Sequence, residues 1–167
     1  MCNAPQDDWD RRRAIGEIGV HPFDIKAALL EKHAQHVAII HFPIALFIAG
    51  FVFDLVAKWR SNKPLATVAS YNFVAAGVSA IPAVSTGLLA WQFALQGTRL
   101  KGILLYHLIL GSMSSCLLIV VACLHYASRS KGMLSPLSRL ALEFLGVLLL
   151  IVTGYLGGFL SGVNGAT

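Results

Sequence analysis

Apolar residues run along this chain in four blocks, and polar residues collect between them. The first block, HVAIIHFPIALFIAGFVFDLVAKW, covers about residues 36–58, and the others cover about 66–91, 102–126 and 138–160. Each is the length that an α-helix needs to cross a hydrocarbon layer. The link from Lys58 to Pro64 is so short that the first two spans must be antiparallel neighbours. The pattern predicts an all-α fold, an integral membrane up-down four-helix bundle over residues 36–162. Pro43 removes one backbone hydrogen bond, so a kink or a late helix start is expected there.

Ahead of the bundle, residues 1–35 read as a polar tail and a short amphipathic helix. Asp7, Asp8 and Asp10 are followed by Arg11, Arg12 and Arg13, a solvated charge run or a partner contact. Asp24 caps a stretch leading to Lys32 that is too short to cross the membrane and suits its interface. No long apolar core precedes His36, so the first span is expected to act as its own targeting signal, and Cys2 is not expected to carry lipid.

Composition fits this class. Hydrophobic residues make up 56% and charged residues 13%, against about 25% charged in soluble domains. The formal charge of +5 does not imply nucleic acid, because the basic residues sit at the block boundaries and are not interleaved with aromatics. Cys116 and Cys123 lie within an apolar block and are expected to pack as small hydrophobes.

Four spans put both termini on one side, here called the terminal face. Near the membrane that face carries Lys26, Lys32, Arg99 and Lys101, while the loop face carries Lys58, Arg60, Lys63, Arg129, Lys131 and Arg139. The larger number at the loops places them in the cytoplasm and both termini in the periplasm.

Candidate chemistry falls into two layers. Toward the terminal face, His41 in the first span and His107 in the third lie at similar depth, with Thr86, Gly87 and Gly154 to Gly158 in the same layer. Two imidazoles across a bundle core can ligate a haem iron, with small residues making room for the ring. His36 points elsewhere around the helix and could meet a haem propionate or headgroups. A structural or quinone-contacting role for the same histidines is equally open, and a non-haem metal site would want a carboxylate at that depth. Toward the loop face, Asp54, Asn72, His125 and Glu143 share a layer. Acids inside a membrane are functional candidates, here for a proton path or a quinone pocket. Plain helical ion pairs, Asp54 with Lys58 and Arg139 with Glu143, explain the acids equally well. Gly154, Gly158 and Gly162 recur every four residues and would let another helix approach. The chain has no phosphate-binding glycine loop, metalloprotease motif or serine elbow, which favours a non-catalytic subunit over a free-standing enzyme.

The stretches HVAIIHFPIALFIAGFVFDLVAKW, TGLLAW, LLYHLILG and VTGYLGGFLSGVNG resemble the bacterial four-helix membrane domain catalogued as domain of unknown function 2231, over roughly residues 33–165. The resemblance implies signature positions at His41, His107, Gly157 and Gly158, a bacterial inner membrane, and Rieske-type or cytochrome partners. The chain departs from that pattern at Leu88, Leu89 and Ala90, where relatives often have an acid, and at Gly111, where they often have Asn. The resulting expectation is a small membrane subunit beside redox proteins, holding haem b between His41 and His107 and exchanging electrons with a quinone or cytochrome. A cofactor-free structural or assembly subunit of a larger membrane complex is the alternative, and a small oligomeric transporter is the third.

Overall fold

The computed structural model describes residues 32–94, 101–127 and 135–160. The tail, the predicted interfacial helix, Gly162 and the basic residues Arg99, Arg129 and Lys131 lie outside these residues. Four helices account for nearly everything described: α1 (Lys32–Arg60), α2 (Lys63–Leu89), α3 (Ile103–Ala127) and α4 (Pro136–Leu160). A π-helical turn, Ala90–Ala94, extends α2. All four helices are long and apolar enough to cross a membrane.

α1 starts several residues ahead of its apolar block, because hydropathy marks the lipid-crossing part of a helix while backbone hydrogen bonding marks its ends. The helix also runs through Pro43. A proline withholds a single N–H from the ladder, and here that loss does not delay the helix start. The α1–α2 connection explains the tight antiparallel hairpin. Ser61 takes the left-handed conformation (φ 50°), and the Asn62 N–H returns to the Ala57 carbonyl at 2.9 Å, closing α1. Asn62 then opens α2, its Oδ1 accepting from the Leu65 N–H at 3.0 Å, with Pro64 in the first turn. Asn62→Ala is expected to cost about 1 kcal/mol, read as a lowered midpoint of thermal unfolding in mild detergent. Ser135 opens α4 in the same way, its Oγ accepting from the Ser138 N–H at 3.1 Å.

Helices α1 and α2, α2 and α3, and α3 and α4 pack side by side in sequence, with contact decreasing in that order and least across the α1–α4 seam. The core is Phe47, Ala69, Phe73, Ala76, Ala80, Leu118, Val121 and Leu150. Phe47 and Phe73 meet edge to face with ring centroids 5.0 Å apart. Glycines set the helix spacing, since lipid is as apolar as this core and association depends on close packing. A Cβ added at Gly77 would lie 2.5 Å from the Ala122 Cβ, and one at Gly146 would lie 2.5 Å from Phe47 Cζ. Gly154 has nothing within 4 Å, so among the described residues it sets no helix contact. Cys116 and Cys123 are free and exposed. They face outward and do not join the core, which on α3 is formed by Ser114, Leu118, Val121 and Ala122.

Candidate functional site

The loop-side layer holds the densest polar contacts in the bundle. Asp54, His125 and Glu143 are almost wholly buried, at 1%, 2% and 0% exposure. His125 Nε2 lies 2.9 Å from Glu143 Oε1, joining α3 to α4. On the other side of the ring, His125 Nδ1 lies 3.1 Å from Ser70 Oγ on α2. The Phe73 ring packs on the imidazole with centroids 4.4 Å apart. Asp54 pairs with Lys58 one turn on. Arg139 reaches both acids, with Nη2 at 3.6 Å from Asp54 Oδ1 and Nε at 3.6 Å from Glu143 Oε1. All four helices thus contribute to one network.

Helical spacing accounts for both acid–base pairs within single helices, and the structure has both. It also has what spacing leaves out, the cross-helix links through Arg139, His125 and Ser70. Asn72 does not join them. Its Nδ2 donates to the Val68 carbonyl of its own helix at 2.9 Å. Two positions separate Ser70 from Asn72, so they point to different sides of α2. The only advance signal for Ser70 is its depth, matched to His125.

The terminal half is arranged differently. His36 lies against α2, with Nδ1 3.2 Å from Thr86 Oγ1, and a Cβ at Gly87 would meet its Cε1 at 2.9 Å. His107 lies against α4, where its Nδ1 donates to the Thr153 carbonyl at 3.1 Å, and a Cβ at Gly157 would meet its Cε1 at 3.1 Å. Thr153 also bonds Ser114 across the α3–α4 interface, Oγ to Oγ1 at 3.0 Å. Each of these imidazoles occupies a glycine notch on the helix that follows its own.

His41 occupies no such notch. It is exposed, and its Nδ1 donates to the Val37 carbonyl one turn back at 2.6 Å. A carbonyl can only accept, so in His41 and His107 alike Nδ1 carries a proton and donates it. An imidazole that binds a metal through Nε2 makes the same kind of Nδ1 hydrogen bond. His41 bonds its own helix, whereas His107 bonds α4. Among the described residues no group of three or more His, Cys, Asp or Glu is placed to hold a metal ion. Gly158 lies beside Gly157 on α4, and Gly154 faces outward one turn earlier.

No curated protein and no solved structure gives a significant match to the chain. A family model does. The four membrane-length helices, the paired glycines of α4 and the span histidines all lie inside the segment it matches, residues 32–167, and the chain belongs to that family, described as a predicted membrane protein (DUF2231).

Proposed function

We propose that this multi-pass membrane protein is a small non-catalytic subunit of a larger assembly that serves redox proteins in the bacterial cytoplasmic membrane. The observation that carries this reading is His41. It shares the outward face of α1 with Ile48, Val52 and Leu55, all exposed, and its Nε2 has no partner among the described residues. Lipid offers nothing to an unpaired imidazole nitrogen, and polar side chains on a membrane helix ordinarily turn toward protein. A partner subunit seated on this face would satisfy it. The periplasmic placement of both termini, which follows from the basic loop residues, puts His41 near the periplasmic side.

A second reading, haem b, is supported by the shared hydrogen bonding of His41 and His107, which engages Nδ1 of both rings and leaves Nε2 as the ligating atom. Bound there, a haem would pass single electrons between a quinone and a partner cytochrome.

One set of preparations tests both. The dithionite-reduced minus oxidised absorbance spectrum is recorded for the purified chain and for His41→Ala and His107→Ala. A b-type spectrum lost in both variants supports haem, and a colourless folded protein removes it. Native electrophoresis of solubilised host membranes then tests docking. His41→Leu is expected to release the chain from its high-mass assembly, and an unchanged assembly would sink the docking reading.

A further inference from the structure

The loop-side network contains an arrangement that helical ion pairing leaves unexplained. Ser70 has a single hydroxyl proton and two neighbours able to accept it, the Ala66 carbonyl at 3.1 Å and His125 Nδ1 at 3.1 Å. Only one of them can receive it at a time. The choice fixes the protonation of the whole Ser70–His125–Glu143 row.

When Ser70 donates to His125 Nδ1, that nitrogen carries no proton. His125 is then neutral with its proton on Nε2, and Nε2–H donates to the Glu143 carboxylate. When Ser70 donates to Ala66 instead, its oxygen accepts from an Nδ1–H of His125. The 2.9 Å contact between His125 Nε2 and Glu143 Oε1 still needs one hydrogen, shared between imidazolium and carboxylate or held as a carboxylic acid. The second state contains one proton more than the first. No atom has to move by more than a hydroxyl rotation to interconvert them.

A second observation points to the same place. Among the described residues, Glu143 Oε2 is buried and accepts no hydrogen bond, and Arg139 Nε donates none. A buried carboxylate oxygen without a donor makes the anion costly to hold there. The groups facing the pair are Asp54 and Lys58 from α1, Ser70 from α2, and Arg139 from α4. Two cations thus balance two acids in the first state, and the second carries one net positive charge. Lys58 and Arg139, on the loop side of the pair, are about a quarter exposed, at 27% and 26%, while Phe73 packs on the imidazole.

We infer that the Ser70–His125–Glu143 row is a binding site for one exchangeable proton, taken from the loop side. On acidification one proton enters the pair from water, the Ser70 O–H turns from His125 Nδ1 to the Ala66 carbonyl, and Nδ1–H forms. Deprotonation reverses each step. No redox partner is required, so the inference stands apart from the docking and haem readings.

The test is ¹⁵N nuclear magnetic resonance of the full chain, labelled at histidine and reconstituted in phosphatidylcholine vesicles. Spectra are taken from about pH 4 to about pH 9, which brackets ordinary carboxyl and imidazole titration. His125→Asn identifies the signal. The expected result is that His125 Nδ1 is unprotonated at the alkaline end and protonated at the acid end, in a single transition. In Glu143→Gln, which offers His125 an acceptor but no carboxylate to share the added proton, the transition moves to lower pH. A His125 Nδ1 in the same state at both ends overturns the inference, and so does a transition that is unchanged in Glu143→Gln. Should that variant fail to fold, the unaltered chain decides alone.

Discussion

Glu143→Ala lowers the stability of the bundle by about 3–5 kcal/mol, the range for removing one partner of a buried charged pair. The substitution leaves the His125 Nε2 without its 2.9 Å partner and removes one of the two acids that Arg139 spans. Glu143 is wholly buried, so water does not replace what is lost. Glu143→Gln keeps the volume and an oxygen for His125, and its cost should stay near about 1–2 kcal/mol. Unfolding by added denaturing detergent, followed by circular dichroism, measures both. Equal effects of Ala and Gln would mean that the carboxylate charge, not the hydrogen bond, dominates the site.

Phe47→Ala is the second large effect, expected at about 3 kcal/mol. Phe47 is fully buried where α1, α2 and α4 meet, with Phe73 on one side and Gly146 on the other. Surrounding lipid is as apolar as the core, so the loss comes from packing contacts and the remaining cavity, not from transfer out of water. The reverse error, Gly146→Ala, places a methyl 2.5 Å from Phe47 Cζ and should cost about 1–3 kcal/mol by overpacking. The two positions are coupled. Phe47→Leu combined with Gly146→Ala should be more stable than the sum of the single changes predicts, by about 1 kcal/mol. Strict additivity would show that the seam relaxes freely and that this contact does not set its spacing.

The architecture was legible because membrane length and apolar runs are strong signals, and four of them with short links permit little besides an up-down bundle. The depth of polar residues was legible for the same reason. Spacing alone assigned Asp54 to Lys58 and Glu143 to Arg139, and it put His125 in their layer. Azimuth was less accessible. A membrane helix has no wet face to orient it, and α2 and α3 are apolar nearly all round, so nothing local distinguishes Ser70 from Asn72 as the neighbour of His125. The same limit applies to His41 and His107, whose equal depth does not tell that His107 turns toward α4 while His41 turns outward. Gly154 belongs to a visible stripe on α4 yet meets nothing among the described residues, while close contacts fall at Gly77, Gly87, Gly146 and Gly157. What decides a glycine's role is the bulk opposite it, Ala122, Phe47 or His107, which lies on another helix.

Arg139 touches an acid of the first helix and an acid of its own, and this bears on how the protein is made. Helices emerge from the ribosome in order, and α4 arrives last carrying both Arg139 and Glu143. Their remaining partners, Asp54 and His125, are by then already waiting on α1 and α3. α4 brings an ion pair of its own, but its two cross-helix links, Arg139 to Asp54 and Glu143 to His125, form only against helices already in place. Insertion of α4 and closure of the α1–α4 seam become a single late event in biogenesis. A chain halted before that point would lack both links, leaving His125 without its Glu143 partner.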